Sequence, residues 1–173
     1  EVEEYNYDEP VPGNNTVGSD WFSDAMFIGD SRMKSIMNYA ASEGWFTPGA
    51  DYSLVGLTVS NVYSEYVNVN GTSMTVSDAI MLPGSFTKCY IFLGINELGW
   101  GSPERFIECY EELVELVKSA HPDMQIYIIG NMPLGDKALS SGSWLTNENV
   151  LRFNGYIKQV AAEEQVYYID VFD

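Results

Sequence analysis

Five consecutive apolar positions, Cys89-Tyr90-Ile91-Phe92-Leu93, constrain the fold more than any other stretch of the chain. A strand that is apolar on both faces has no side to offer to water, so it belongs inside a parallel sheet covered by helices. Ala25-Met26-Phe27-Ile28 repeats the pattern and is stopped by Gly29-Asp30-Ser31, after which Met33, Ile36, Met37 and Ala40 recur at helical spacing. That unit is strand, tight turn, helix.

The remainder continues the alternation. Tyr52 to Leu57 predicts a second short strand, ending around Gly56, and Tyr66-Val67-Asn68-Val69 with Ser73-Met74-Thr75-Val76 flank an Asn70-Gly71 turn that predicts a β-hairpin. Ser77 or Asp78 is placed to cap a short helix running through Leu82. Ser102-Pro103 opens the clearest helix, whose stripe of Phe106, Ile107, Tyr110, Leu113, Val114 and Val117 is stopped by His121-Pro122. Gln125 to Ile129 predicts a strand and a Gly/Ser-containing loop follows it. A helix from about Asn147 to Glu164 comes next, with Val150, Leu151, Asn154, Ile157 and Val160 on one side, then a last strand Val166 to Ile169. The order predicts one α/β domain over 21–173, a three-layer α/β/α sandwich around a mostly parallel sheet of flavodoxin-like type, with the small hairpin appended. The acidic stretch before it, 1–20, predicts an exposed leader or linker.

Composition narrows the partners. Eight Lys plus Arg against 25 Asp plus Glu give a net charge of −17, so the field repels nucleic acid and anionic membranes. The apolar runs are strand-length, far short of the about 20 residues that span a bilayer. Cys89 and Cys109 make no disulfide framework and are expected as free thiols, and no Cys or His pair has metal-ligand spacing. No cofactor is expected either: in a flavodoxin-like cofactor domain a phosphate would sit at the helix start, where Gly29-Asp30-Ser31-Arg32 places an acid. Asn14-Asn15-Thr16 and Asn70-Gly71-Thr72 match the glycosylation acceptor pattern, which is too short to carry weight.

In an open parallel sheet, ligands bind in the crevice beyond the carboxyl ends of the strands. Ser31 and Asn96 both follow strand ends and are expected at that crevice. A serine in a strand-to-helix turn either caps the helix or presents its hydroxyl as a nucleophile near the positive end of the helix dipole, and Asp30 caps equally well. Two blocks bear on the choice. Phe27-Ile28-Gly29-Asp30-Ser31-Arg32 is similar to the first block of the SGNH (GDSL-like) hydrolases, and Phe92-Leu93-Gly94-Ile95-Asn96-Glu97 is similar to their third. Arg32 replaces the Leu of the family label, and Glu97 stands where many members have Asp. The resemblance implies a serine esterase with Ser31 as nucleophile. It also implies that the Ser31 N–H, the N–H of Gly56 in Leu54-Val55-Gly56-Leu57 and the Asn96 amide stabilise the oxyanion.

A serine needs a positioned base, and this family uses a His preceded three residues earlier by an Asp, beyond the final strand. The sequence through Asp173 contains no such block, and Asp170 is expected merely to end the last strand. The sole histidine, His121, lies between a helix end and a strand start, at the opposite edge of the sheet. A strand of five or six residues separates the two edges by roughly 17 to 20 Å, so His121 is not the base. The expectation is therefore a chain that stops short of its base and is almost inactive by itself. The alternatives are a histidine supplied by another chain and a non-catalytic relative. The resemblance implies hydrolysis of carboxylic esters, commonly short acyl or acetyl groups on a sugar. The acidic leader is what a processed secreted protein begins with, so an extracellular or cell-surface location is expected. Trp100 and Trp144 either flank the crevice and stack on a sugar ring or pack into the core. The competing reading is a non-catalytic carbohydrate-binding or surface module on the same fold.

Overall fold

A computed structural model of the chain describes residues 5–13, 16–142 and 144–172. Residues 1–4, 14 and 15 of the leader, Asp173 and the first two positions of the Asn14-Asn15-Thr16 pattern lie outside the described residues.

Among the described residues seven strands and five α-helices follow in chain order: β1 Ala25–Gly29, α1 Ser31–Glu43, β2 Ala50–Ser53, β3 Tyr66–Val69, β4 Thr72–Thr75, α2 Val76–Ile80, β5 Lys88–Phe92, α3 Pro103–Ala120, β6 Gln125–Ile129, α4 Asp136–Leu139, α5 Asn147–Glu163 and β7 Tyr167–Ile169. Five strands form one sheet in the order β2-β1-β5-β6-β7, every neighbouring pair parallel. The chain runs outward from β1 to β2, then returns to β5 on the other side of β1. That reversal places the topological switch point between β1 and β5.

Alternation along the strands divides the core. Met26, Ile28, Cys89, Ile91, Ile126 and Ile128 face α2, α3 and α5, where they pack with Phe106, Tyr110, Leu113, Phe153 and Ile157. The opposite face carries Phe27, Tyr90, Tyr127 and Tyr167 at matching register, stacked ring on ring at 5.2, 5.1 and 4.9 Å between centroids. Met33 and Met37 of α1 close the Phe27 end of that row. Tyr5 and Tyr7 of the leader meet Tyr167 at its other end, and the Val11 N–H donates to the Tyr168 carbonyl at 2.8 Å. The described residues of the leader are mostly exposed, and Tyr5, Tyr7 and Val11 fasten them to β7.

The local structure departs from the sequence reading in several places. The second strand is Ala50–Ser53, earlier and shorter than Tyr52 to Leu57, because Asp51 turns its carboxylate onto the Ser53 N–H at 2.9 Å and the chain then bends through Gly56. The hairpin turns at Asn70 and Gly71, both at positive φ (51° and 87°), as a tight turn between twisted strands requires. The cap of α2 is Thr75, the last residue of β4, whose hydroxyl accepts the Asp78 N–H at 3.1 Å; neither Ser77 nor Asp78 caps it. On α5 the buried face takes in Phe153 and leaves Leu151 exposed, and on α1 Ile36 is likewise exposed. Ser102 caps α3 as its sequence implies, through the Arg105 N–H at 3.3 Å. Cys89 and Cys109 are unpaired, the first buried and the second half-buried.

Phe153 joins the two large helices to each other, edge-to-face with Phe106 at 4.8 Å. Truncating a buried Phe removes its transfer free energy and leaves a cavity, at about 3 to 5 kcal/mol. Phe153→Ala is expected to lower unfolding free energy by that amount in denaturant titrations, while Leu151→Ala costs under about 1 kcal/mol. Equal losses for the two would contradict this assignment of the α5 face.

Candidate active site

The exit of β1 is built around a glycine and an aspartate. A Cβ on Gly29 would collide with the Met33 side chain and lie 2.9 Å from the Phe92 carbonyl, so only glycine lets β1 turn this close to β5. Asp30 follows in extended conformation, fully buried, and its Oδ1 accepts the Arg32 N–H at 2.9 Å. Asp30 is therefore the cap of α1, and Ser31 is its first residue. With Asp30 in that role, the hydroxyl of Ser31 and its own N–H make no hydrogen bond to any described residue. Ser31 is half-buried at the amino end of a helix whose dipole favours negative charge there.

The Arg32 side chain returns over the turn. Its Nε and Nη2 donate to both Asp30 oxygens at 2.9 and 2.6 Å, its Nη1 donates to Asn131 Oδ1 at 2.8 Å, and the guanidinium stacks over Phe92 at 4.0 Å. Asn131 stands at the exit of β6 and exchanges two bonds with Asn154 of α5, N–H to Oδ1 at 2.7 Å and carbonyl to Nδ2 at 2.9 Å. In the sequence Asn154 falls within the apolar stripe of α5. A polar amide on such a stripe is the signal that a buried backbone end needs a partner.

The loop leaving β2 supplies Gly56, at φ +80° and exposed. The Asn61 amide donates to the Gly56 carbonyl at 3.1 Å, and Asn61 and Thr58 lock each other by two further bonds, at 2.7 and 3.1 Å. The Gly56 N–H meets no acceptor among the described residues. The loop leaving β5 turns at Gly94, φ +119°, where a Cβ would press on Asn131 and Ile157. It then presents Asn96, whose Nδ2 donates to the Leu57 carbonyl at 2.9 Å, leaving its second N–H free of described partners. Glu97, fully buried, accepts the Val59 N–H at 2.8 Å.

Three neighbouring strands, β2, β1 and β5, thus deliver Gly56, Ser31 and Asn96 to one edge of the sheet, and hydrogen bonds fasten the Asn96 loop directly to the Gly56 loop. Trp144 lies against Gly99 of the Asn96 loop, close enough that a Cβ there would meet its ring at 3.4 Å, and is 45% exposed. Trp100 is half-buried, edge-to-face on Phe106. His121 ends α3 at the other edge of the sheet, where its Nε2 is 2.8 Å from the Ile80 carbonyl and its ring meets Phe86. Among the described residues no group of three His, Cys, Asp or Glu is placed to hold a metal ion, and no helix is long and apolar enough to cross a membrane.

The model of the GDSL-like Lipase/Acylhydrolase family matches residues 27–173, and the chain belongs to that family. Solved structures share the fold at low identity. A protein from Streptococcus pneumonia named for platelet activating factor superposes with a TM-score of 0.66 at 19% identity, over 87% of this chain and 66% of that one. The acetyl xylan esterase AlAXEase gives 0.57 at 14%, over 85% and 76%. A GDSL-like lipase from Bacteroides thetaiotaomicron VPI-5482 gives 0.56 at 11%, over 87% and 69%. The chain therefore spans just under two thirds of the length of the first of these. No curated protein matches the chain by sequence.

Burial pushes the Glu97 carboxyl up to about 7, more than the Val59 N–H pulls it down. The folded protein then holds this proton more tightly than the unfolded chain, so the stability it contributes is present below about pH 4.5 and is lost as pH rises through 7. The loss amounts to about 3 kcal/mol. Glu97→Gln cannot ionise, so its unfolding free energy is expected to rise relative to the parent by about that much between pH 5 and pH 8. A difference that stays constant across this range would show that Glu97 does not titrate as its burial implies.

Proposed function

We propose that this chain carries the nucleophile and oxyanion site of a serine esterase acting on short acyl esters, acetyl groups on carbohydrate foremost. The supporting observation is the division of labour at the start of α1. Asp30 caps the helix, so the Ser31 hydroxyl and N–H are left over for chemistry, next to two loops that bring an unengaged glycine N–H and an amide N–H. In this reading Ser31 Oγ bonds to the ester carbonyl carbon as its proton passes to a base. The carbonyl oxygen becomes an oxyanion facing the Ser31 N–H, the Gly56 N–H and Asn96 Nδ2. Collapse of the intermediate expels the alcohol, protonated by the same base, and water then releases the acid from the acyl-serine.

The base is a histidine from outside these 173 residues, since His121 is held at the far edge of the sheet. An acetylated carbohydrate substrate is favoured by the fold shared with an acetyl xylan esterase and by the exposed Trp144 ring beside the Asn96 loop, a surface suited to stacking on a sugar. In this reading the protein works outside the cell or on its surface.

Assay of the full-length gene product on p-nitrophenyl acetate and acetylated xylan tests the reading. Ser31→Ala is expected to lower kcat by at least about 10⁴-fold and Asn96→Ala by about 10² to 10³-fold, while the 173-residue chain alone turns over barely above buffer. Hydrolysis that survives Ser31→Ala overturns the assignment. A protein that binds acetylated and deacetylated glycan equally, and whose Ser31 is not labelled by a fluorophosphonate, is a binding module instead.

A further inference from the structure

Glu97 is a buried carboxyl that the reaction scheme does not use. Only one of its oxygens is paired: Oε1 accepts the Val59 N–H at 2.8 Å, and Oε2 has no partner among the described residues. Three ionisable groups face it: Asp30 and Arg32 at the start of α1, and Tyr110 of α3, whose hydroxyl is itself buried and unpartnered. A half-satisfied buried carboxyl beside a second carboxylate is a poor device for stability, and an apolar side chain would fill the space at lower cost. The one bond it makes has a particular address. Val59 belongs to the turn that also carries Gly56 and Leu57, and Glu97 is the covalent neighbour of Asn96, which holds Leu57 from the same side.

We propose that Glu97 is the positioning residue of the oxyanion site, its carboxyl holding the Leu57–Val59 turn against the Asn96 loop so that the Gly56 N–H and the Asn96 amide address one point. The proposal rests on the esterase reading. The two clamps, Asn96 to the Leu57 carbonyl and Glu97 to the Val59 N–H, bracket the turn at both ends, so loosening one lets the turn rotate about the other. Side-chain length matters here more than charge. A glutamine keeps an acceptor oxygen at the same reach, whereas an aspartate keeps the charge but falls one methylene short.

The test compares Glu97→Gln and Glu97→Asp in the full-length protein, with kcat and KM for p-nitrophenyl acetate normalised to the folded fraction. Glu97→Gln is expected to stay within about threefold of the parent. Glu97→Asp is expected to lose about 100-fold in kcat, the scale of an ångström-level misplacement of a catalytic group, with KM within about threefold. Full kcat in folded Glu97→Asp overturns the proposal, and so does a loss in Glu97→Gln as deep as that in Glu97→Asp, because the glutamine keeps an acceptor oxygen at the same reach. The Val59 amide resonance gives a readout independent of turnover and of whether the Asp variant folds. In the parent it is expected to shift with a midpoint near the carboxyl's pH of about 7, and in Glu97→Gln to stay still. An unmoving Val59 amide in a parent whose stability difference from Glu97→Gln changes with pH also overturns the tether. Activity that survives Ser31→Ala defeats the esterase reading, whereas loss with Ser31→Ala but not with Glu97→Asp defeats only the role of Glu97.

Discussion

The carboxylate of Asp30 is the point on which the candidate site turns. It is fully buried at the exit of β1, and a charge in that position persists only if it is paired and hydrogen-bonded. It meets both conditions by capping α1 through the Arg32 N–H and by a two-pronged pair with the Arg32 guanidinium. One residue thus orients the helix, fixes the arginine that reaches across to Asn131, and frees Ser31 from capping. Were Ser31 the cap, its oxygen would be committed to a backbone N–H and the same three letters would describe nothing more than a helix start.

Around that turn the parallel sheet does the geometric work. Because β1 lies between β2 and β5, the loops leaving all three strands meet at one edge, and each contributes a different kind of group: a backbone N–H at a positive-φ glycine, a serine at a helix start, a side-chain amide. The loops are not independent. Asn96 holds Leu57, Glu97 holds Val59, Asn61 holds Gly56, and Arg32 ties the helix start to the exit of β6. Preorganisation of this kind lets donors act on developing charge without moving during the reaction.

The fold was largely legible in the sequence because burial on both faces leaves a coarse mark: Cys89 to Phe92 and Ala25 to Ile28 have few other places to go. The edge on which Ser31 and Asn96 fall follows from strand order alone. What stayed hidden depends on single hydrogen bonds. Asp30 and Ser31 compete for one cap, and only the backbone bend after Gly29 decides between them. Residues 151 and 153 of α5 sit on opposite sides of a stripe whose centre periodicity fixes only to within a residue, so Leu151 and Phe153 exchanged places. Glu97 reads in the sequence as a variant letter of its block, and nothing there marks its burial or its bond to the N–H of Val59, 38 positions away.

A crystal structure of the full-length protein with a phosphonate or boronate covalently bound to Ser31 measures the central claim most directly. The account predicts that the adduct's anionic oxygen lies about 2.7 to 3.1 Å from the Ser31 N–H nitrogen, the Gly56 nitrogen and Asn96 Nδ2 together. An adduct oxygen turned away from Gly56 and Asn96, or a reagent attached to a residue other than Ser31, would contradict it.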